Sequence, residues 1–199
     1  MTRAQILTEA RVVFGRNGYA EASLREIAEA VGIKTPSLYA HFPSKEALYA
    51  AVYAEVSVEH TAFFDDLARA SSTLPPLERL GHLLGGIEAY YRDRPDLAEF
   101  SLRAAVAEYG PGGRDLREIF LDSESDLAGA VRQAYDEGVA SGDFIAGDPD
   151  GFTALVFVLM DGLFLQLTHY APDVYRARFD LAWHHLRTML RAADRSPEG

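Results

Sequence analysis

The stretch "SLREIAEAVGIKTPSLYAHFPSKEALYAAV", residues 23–52, contains two helix starts and two helix stops close together. Ser23 begins the first short helix, because a serine with a glutamate three positions later is typical of a capping box, and Gly32 ends it. The Thr-Pro pair at 35–36 predicts a second start, with threonine as the N-cap and proline at the first helical position, where its missing N–H costs nothing. Pro43 then forces the chain out of the helix.

The two predicted helices, over about residues 24–31 and 36–42, form a helix-turn-helix, since a turn containing glycine joins them. The second is too small to build a core by itself, so we expect the apolar residues of both helices to face one way. These expected core positions are Leu24, Ile27, Val31, Leu38 and Phe42.

The opposite face of the second helix suits the major groove of DNA. It is small at its start, so that the backbone can come close, and it then offers hydroxyls and an imidazole to phosphate oxygens or base edges. These positions are Thr35, Ser37, Tyr39, Ala40 and His41. Lys45 adds charge at the start of the next helix, where backbone N–H groups already favour a phosphate. The alternative is that residues 36–42 form a connector, in which Tyr39 and His41 cover a small core.

The rest of the chain consists of apolar-periodic runs separated by turns rich in Gly, Pro and Asp. Thr2 and Gln5 form a capping box and Gly18 supplies a stop, which predicts a first helix over about residues 3–17. Longer runs follow at about 45–70, 76–93, 96–109, 114–141, 149–170 and 173–193. Because no stretch shows sustained alternation of apolar and polar residues, the sequence predicts an all-α chain of about nine helices.

Charge is distributed unevenly along the chain. The formal net charge is −11, yet residues 1–50 hold six of the 19 basic and five of the 30 acidic residues, a balance of +1. The remaining 13 basic and 25 acidic residues give a balance of −12. Both lysines of the chain, Lys34 and Lys45, flank the second short helix. A polyanion could therefore approach the N-terminal quarter, whereas the net negative charge of the rest would repel it.

The sequence contains no constellation typical of an enzyme. There is no cysteine, which excludes disulfides and thiolate chemistry, and the six histidines form no His-Glu-x-x-His or Glu-x-x-His pattern. A glycine-rich phosphate loop and a Gly-x-Ser-x-Gly motif are also lacking. We therefore expect neither enzymatic activity nor a metal or cofactor.

The most apolar stretch, "FTALVFVLMDGLFLQL" from Phe152, is interrupted by Asp161 and Gln166. A central Asp in a membrane-spanning helix costs roughly 2.5–3.5 kcal/mol on insertion scales, so we expect a buried helix of a soluble protein. The N-terminus carries Glu9 and Arg11 within its apolar pattern and lacks the apolar core of a signal peptide. These features predict a cytoplasmic protein that does not bind a membrane.

The run over residues 23–52 resembles the DNA-binding signature of tetracycline-repressor-type transcriptional regulators, the TetR family. The shared features are an Ile-Ala pair, a Gly-hydrophobic turn, the sequence Leu-Tyr-x-His-Phe, and Lys-x-x-Leu after two further residues. Lys34 departs from the family pattern, in which a short polar residue is more common, and it leaves the start of the recognition helix open. Outside about 45 residues, the likeness is limited to length, helix count and layout.

The resemblance implies a helix-turn-helix DNA-binding domain over residues 1–45 and a helical effector-binding and dimerisation domain over residues 46–199. It places contacts to an operator in double-stranded DNA on the second short helix, where residues 35–37 meet bases and the Tyr39 hydroxyl meets a phosphate. Lys45 is also implied to contact a phosphate. The full set of implied DNA-binding residues is Ser23, Arg25, Lys34, Thr35, Pro36, Ser37, Tyr39, His41 and Lys45.

The last two predicted helices are the expected dimer surface. A second half-site about 34–36 Å along the groove can be reached only by a second copy. The run from residue 149 is apolar nearly all round and the run from residue 173 has a broad apolar stripe, while the resemblance implies a four-helix interface. The expected interface residues are Leu155, Leu159, Phe179, Trp183, Leu186 and Leu190. The alternative is that they form the core of a monomer.

The resemblance also implies a mostly apolar cavity that binds a small-molecule effector. Its candidate lining residues are Phe64, Tyr90, Phe100, Arg103, Phe120, Phe157, Asp161 and Phe164. Arg103 and Asp161 are charges within apolar helices and need partners, although each of the residues could instead be ordinary core, and an Asp-Gly pair in this helix is common in the family. The implied function is a homodimeric repressor that an effector releases from a palindromic operator. A transcriptional activator, or a DNA-binding or protein-interaction protein without an effector, is the alternative.

Overall fold

The computed structural model describes residues 2–106 and 114–191, and the side chains of residues 2–105 and 124–191. Within these ranges the chain is helical, without a strand, as the sequence predicts; the sole bridge is between Phe144 and Arg191. The described helices are α1 (Arg3–Glu21), α2 (Leu24–Val31), α3 (Thr35–Tyr39), α4 (Lys45–Ser71), α5 (Pro76–Tyr91), α6 (Pro95–Val106), α7 (Arg114–Ser141), α8 (Pro149–His169) and α9 (Pro172–Leu190).

The chain divides into two compact units. The first comprises Met1–Ala62 with Tyr90–Glu124, and the second comprises Phe63–Ala89 with Ser125–Gly199. This grouping follows compactness alone. The boundary at residue 45, which separates the segments by their implied function, stays a prediction.

The first helix begins as predicted and ends later. The backbone N–H of Thr2 donates to Oε1 of Gln5 at 2.9 Å, and that of Gln5 donates to Oγ1 of Thr2 at 3.4 Å, so the capping box forms. Gly18 has φ 75° and ψ 169°, which interrupts the regular helix where a stop was expected. Helical geometry then resumes as far as Glu21.

The capping box predicted at the start of α2 forms only in half. The Ser23 hydroxyl accepts the backbone N–H of Glu26 at 3.0 Å. The Glu26 carboxylate, however, accepts the side-chain amide of Asn17 at 3.0 and 2.8 Å, so it does not reach back to Ser23. Gly32 ends the helix in the left-handed conformation, with φ 78° and ψ 31°, as predicted.

The predicted bounds of the second short helix were wrong at both ends. Lys34 is the N-cap, without a side-chain hydrogen bond, and Thr35 is the first helical residue, one position earlier than expected. The helix ends at Tyr39 instead of residue 42, because the N–H groups of His41 and Phe42 both donate to the Leu38 carbonyl at 3.0 Å and close a tight turn. The residue before a proline is disfavoured in the helical conformation, which explains the early exit before Pro43.

The first unit is built around α1 and its contact with α6. The Phe14 ring, 1% exposed, meets Tyr49 edge-on with 5.0 Å between ring centroids, and Tyr49 lies 5.6 Å from Phe100. At Gly15, an added Cβ would lie 3.1 Å from the backbone nitrogen of Phe100. The two helices therefore approach each other closely at this point, and a side chain at position 15 would have to push the backbone of α6 aside by a few tenths of an ångström.

The second unit is held by buried apolar residues of α5, α7, α8 and α9 and by one buried arginine. Arg79 is 6% exposed, and its guanidinium donates to Glu137 at 2.8 Å and to the carbonyls of Ser72 and Leu74 at 2.9 and 3.2 Å. These bonds fix the turn before α5 against α7. The hydrogen bond from Arg79 is the main cause that lowers the pKa of Glu137.

Gly138 in α7 leaves no room for a side chain. An added Cβ would lie 2.1 Å from Cδ2 of Phe144, whose ring is buried. Gly138→Ala should force this ring aside and lower the free energy of unfolding by about 1–3 kcal/mol. Gly129→Ala in the same helix is the control: nothing lies within 4 Å of the added carbon, so it should stabilise the helix by up to about 1 kcal/mol. Urea unfolding of both variants tests this, and equal midpoints would contradict it.

Candidate nucleic-acid interface

The helix-turn-helix presents one buried face and one open face. Leu38 and Phe42 are 0% and 3% exposed, and Ile27 of α2 is fully buried with them in the core of the first unit. The predicted core positions Leu24 and Val31 are only partly buried. The side chain of Tyr39, by contrast, is 53% exposed.

The structure places the predicted DNA-binding residues within residues 23–45, at the start of α2 and along and beside α3. Those that are exposed are Ser23, Arg25, Lys34, Pro36, Ser37, Tyr39 and His41; Thr35 and Lys45 are partly exposed. The first turn of α3 carries only Thr35, Pro36 and Ser37, so its backbone can approach another surface closely. The phenol, hydroxyl and imidazole groups of this face are donors and acceptors suited to phosphates and base edges.

Two of the predicted residues already have partners on α2. The guanidinium of Arg25 donates to Glu29 at 2.8 Å, and this bond, with the charge of Glu29, raises the arginine's pKa. The Ser23 hydroxyl caps the helix through Glu26, as described above. Both residues therefore organise the start of α2 besides facing solvent.

The ammonium of Lys45 is bound by groups at the end of α1. Its Nζ donates to the carbonyls of Ala20 and Ala22 at 2.9 and 2.7 Å and lies 4.7 Å from the centroid of the Tyr19 ring. Burial and, second, the charge of Glu46 raise the pKa of Tyr19, so that phenol is neutral at physiological pH. Lys34, the other lysine, is exposed, and its side chain has no hydrogen bond or ion pair within the described residues.

Arg3 lies at the same edge of the module and was not predicted. Its guanidinium sits 4.9 Å from the centroid of the Phe42 ring, and Arg3 itself is exposed. A cation thus stands beside the turn that follows α3. No local pattern points to this position, because Arg3 and Phe42 are far apart in the sequence and meet only in the folded unit.

Arginines of α1 and α6 hold the module to the rest of the first unit. Arg103 donates to the carbonyls of Gly15 and Arg16 at 2.6 and 2.9 Å. Arg11 forms a two-contact ion pair with Asp96, at 3.0 Å from Nε and 2.7 Å from a terminal nitrogen. The charge of Arg103, which the sequence marked as needing a partner, is met by the carbonyls of α1.

The candidate effector residues are divided between the two units. In the first unit, Tyr90 and Phe100 are buried, and Tyr90 meets His60 edge-on with 5.3 Å between centroids. Burial lowers the pKa of His60 to about 4, so its imidazole is neutral at pH 7. Phe100 packs against Tyr49 as described above.

In the second unit, Phe64 is buried, Phe157 and Phe164 are partly exposed, and Asp161 is exposed on α8. Although the residue is exposed, neighbouring protein atoms remove part of the water around the Asp161 carboxyl, and this desolvation raises its pKa. The side chain of Phe120 lies outside the described residues. A pocket of about 450 Å³ in this unit is lined by none of the candidate effector residues; its lining is Leu77, Glu78, Gly81, His82, Phe179, Trp183 and Arg187.

The candidate dimer residues differ in exposure. Leu155 is 37% exposed, and Leu159, Phe179 and Trp183 are partly exposed, whereas Leu186 and Leu190 are 3% and 4% exposed within the chain itself. Other large apolar side chains of α8 and α9 are more open than these. Val158, Leu165 and Leu181 were missed, whereas Met189 lies on the apolar stripe that the sequence predicts for the last helix.

The expectation that α8 is buried on more than one side is not met within this single chain. Its buried residues, Phe152, Val156, Met160 and Leu163, follow one stripe. By length and composition alone, α8 is the one described helix that could cross a membrane, but this is weak evidence because core helices of soluble proteins pass the same test. The described residues also contain no group of three or more His, Asp or Glu side chains that could hold a metal ion.

A comparison with known protein families gives a match to the N-terminal module. Residues 6–52 match the family described as "Bacterial regulatory proteins, tetR family". The chain is 38% identical over 80 residues to the probable HTH-type transcriptional regulator ArpR of Pseudomonas putida, which covers 40% of this chain and 36% of ArpR. It is 48% identical over 50 residues to the HTH-type transcriptional activator FasR of Mycolicibacterium smegmatis, covering 25% of this chain and 23% of FasR. The matches thus span between about a quarter and a third of these relatives.

The fold is similar over nearly the whole chain. The solved structure of FadR from Bacillus subtilis, in complex with stearoyl-CoA, superposes with a TM-score of 0.73, covering 94% of this chain and 99% of that one at 16% identity. At this identity the likeness concerns the fold. The resemblance stated from the sequence is confirmed, and the family and these relatives are transcriptional regulators, which are not enzymes.

Proposed function

We propose that this chain, whose helix-turn-helix matches that of the TetR family of DNA-binding transcriptional regulators, acts as a homodimeric repressor of a palindromic operator. The observation that carries the proposal is the open face of α3, with its small first turn and its exposed Tyr39, on a buried base. The near-neutral charge of residues 1–50 beside an acidic remainder favours DNA approaching by this end. The protein acts in the cytoplasm, where its DNA is.

The predicted contacts fall into two classes: contacts to phosphates, which position the protein on the duplex, and contacts to base edges, which read the sequence. Tyr39 and the exposed Lys34 bind phosphates, while Thr35, Pro36 and Ser37 approach base edges from the first turn of α3. His41 lies just past the helix and reaches the same groove. Ser23 and Arg25 stay close to the DNA backbone at the start of α2. Phosphate contacts fix register on the duplex, and only the base contacts carry sequence information.

Tyr39→Ala and Ser37→Ala should therefore differ in kind. Loss of a phosphate contact at Tyr39 weakens binding to operator and random duplexes by the same factor, about tenfold, because every duplex offers a phosphate. Loss of a base contact at Ser37 costs about 1–3 kcal/mol on the operator, changes the preferred base and leaves random DNA unaffected. Competition anisotropy with single-base operator variants measures both. Identical effects of the two substitutions on specific and random duplexes would refute this division.

A dimer is required because one module spans only one half-site. Two half-sites lie about 34–36 Å apart, so a second copy must supply the second α3. Support comes from α8 and α9, whose exposed apolar side chains have no cover within the described part of the chain. In this arrangement Leu155, Leu159, Phe179 and Trp183 approach the partner copy, while Leu186 and Leu190 support the interface from beneath.

A small, largely apolar effector would release the operator. The support is the set of aromatic residues in the middle helices, and the likeness of fold to FadR, whose structure holds stearoyl-CoA. An effector that binds better when the two modules have the wrong separation weakens DNA binding by the ratio of its two affinities. Compounds selected by their shift of the melting temperature should lower operator affinity. A tight ligand that leaves operator affinity unchanged contradicts this part of the proposal.

Activation is the second candidate function. It is favoured by the similarity to FasR, which is described as an activator and is 48% identical over 50 residues. A reporter fused to the bound promoter separates the two: deletion of the gene raises expression if the protein represses, and lowers it if the protein activates. A regulator without an effector would show the same DNA binding with no compound that changes it.

The first test is selection of genomic fragments by the purified protein, followed by anisotropy of the best fragment across a salt series. A palindromic site bound by two copies, with affinity that falls as salt rises, supports the proposal. Absence of any enriched fragment, with weak binding to all DNA, overturns it.

A further inference from the structure

Resting on the DNA-binding function proposed above, we propose that Lys45 is a positioning residue: its ammonium clips the start of α2 to the start of α4 and does not contact a phosphate. The sequence and the family pattern both place a cation here next to DNA. The contacts of the Lys45 side chain indicate a structural role instead.

Two of the three donors of the Lys45 ammonium are already engaged. A lysine ammonium has three N–H donors and no acceptor. Two donate to the carbonyls of Ala20 and Ala22, at 2.9 and 2.7 Å, and the ammonium also lies over the Tyr19 ring, 4.7 Å from its centroid. Only the third donor is left for a phosphate oxygen, and any further bond to a phosphate would have to displace one of the two carbonyls.

The two carbonyls are ones that a helix leaves unsatisfied. Ala20 lies beyond Gly18, where the regular geometry of α1 is interrupted, and Ala22 is the C-cap with extended backbone. Carbonyls at a helix C-terminus lack intrahelical partners and attract cations. The next residue, Ser23, is the N-cap of α2. Lys45 therefore holds the junction from which α2 starts.

The clip also closes the module at its base. Lys45 is the first residue of α4, so its bonds to Ala20 and Ala22 join the chain entering α2 to the chain leaving α3. The intervening helices, α2 and α3, are fixed at both ends by one side chain. The angle at which α3 meets DNA then depends on Lys45, even though the residue itself need not touch DNA.

Lys34 provides the matched comparison within the same chain. It is the only other lysine, it lies at the N-cap of α3, and it is exposed without a side-chain cap bond. All three donors of its ammonium are available to a phosphate, whereas two of the three on Lys45 are engaged. Removal of each charge in turn therefore separates phosphate binding from positioning.

The experiment measures affinity for the selected operator and for a random duplex of equal length across a salt series, for wild type, Lys45→Met and Lys34→Met. Methionine keeps the apolar stem and removes the ammonium. Each lost phosphate contact reduces the slope of log K against log salt by about 0.9, hence by about 1.8 for a dimer. We expect Lys34→Met to show this reduced slope and to bind both duplexes more weakly.

For Lys45→Met we expect an unchanged slope, roughly tenfold weaker binding to the operator at every salt concentration, and affinity for the random duplex within about twofold of wild type. A slope reduced as in Lys34→Met overturns the proposal and restores the phosphate contact. A folded Lys45→Met protein with full operator selectivity also overturns it, because the residue would then contribute only to stability. If Lys45→Met does not fold, Lys45→Gln replaces it, since glutamine is neutral and keeps a donor, so the salt slope still distinguishes the roles.

Hydrogen exchange of the free protein tests the positioning role of Lys45 without DNA. Loss of the clip should speed exchange of the amides of Glu26 and Ile27, which are hydrogen-bonded to Ser23 at the start of α2, while Lys34→Met should leave them unchanged. Equal protection in Lys45→Met and wild type overturns the proposal. If the wild type enriches no genomic fragment, the proposed function fails, and the exchange result still shows whether Lys45 holds α2.

Discussion

Val158→Asp should convert the proposed dimer to a monomer and abolish high-affinity binding to the proposed palindromic operator. Val158 is 66% exposed on α8, in a stripe with Leu155, Gly162 and Leu165, which are spaced at intervals of three and four residues. This stripe lies beside the buried one that packs within the chain. Apolar residues at such spacing form one face of a helix, and the small Gly162 lets a partner helix approach closely.

The expected effect is large because each of the two subunits brings one introduced charge into the interface. In a symmetric dimer the same patch meets its copy, so both substituted residues enter one interface. An unpaired buried charge costs several kcal/mol, which weakens dimerisation by at least about a thousandfold. Sedimentation equilibrium at micromolar concentration measures the oligomeric state. Anisotropy with a full operator and with a half-site shows whether the loss of affinity is confined to the full operator.

Two further variants test whether the expected loss of the dimer is specific to the exposed stripe of α8. Val158→Lys carries the opposite charge and should also give monomers, which excludes repulsion from the nearby Asp161 as the cause. Val58→Asp introduces the same charge at a valine that is 70% exposed on α4, and it should leave the dimer intact. A Val158→Asp protein that remains dimeric at micromolar concentration would show that α8 does not form the interface.

The sequence could predict the helices because their ends are marked by residues with local effects. Proline, glycine and capping residues act within one or two turns, so the predicted bounds of α4, α7 and α8 agree with the structure to within one residue. The capping box at Ser23 forms only in half, for a reason that no local pattern contains. Asn17, on the preceding helix, takes the Glu26 carboxylate that would have closed it.

The position of the candidate site could be predicted from the sequence, but the partners of its charged residues could not. The exposed face of α3 follows from helical periodicity, since burial of Leu38 and Phe42 turns Tyr39 outwards. The partners of charged residues depend on tertiary structure instead. Lys45 lies against carbonyls of α1, and Arg103 against those of Gly15 and Arg16, because the ends of separate helices meet there.

The apolar character of α8 shows a further limit of sequence reasoning. Periodicity indicates that a residue is covered, but it does not say by what. Val158 and Leu165 are exposed within one chain, so a second copy is the cover that we propose. A single sequence can therefore predict such a surface while leaving open whether it belongs to a monomer core or to an interface.

Phe14→Ala should lower the free energy of unfolding by about 3–5 kcal/mol, a large part of the 5–15 kcal/mol typical of a folded domain. The ring is 1% exposed and contacts the rings of Tyr19 and Tyr49, the second of which also packs against Phe100. The neighbouring Gly15 is in close contact with the backbone of α6, so α1 cannot move inwards freely to fill the space. Cavities that cannot collapse carry the highest cost.

Tyr39→Ala is the matched control, because the same aromatic-to-alanine reduction is made on a side chain that is 53% exposed. It should leave the urea midpoint within about 0.5 kcal/mol of wild type while it weakens DNA binding. Phe14→Ala should do the reverse: the folded fraction, measured at low temperature and without urea, should keep wild-type affinity and salt slope. If Phe14→Ala reduced affinity while it remained fully folded, the aromatic packing around Phe14 would control the presentation of α3. If Tyr39→Ala lost stability instead of affinity, its ring would belong to the core, and α3 would be the connector that the sequence also allowed.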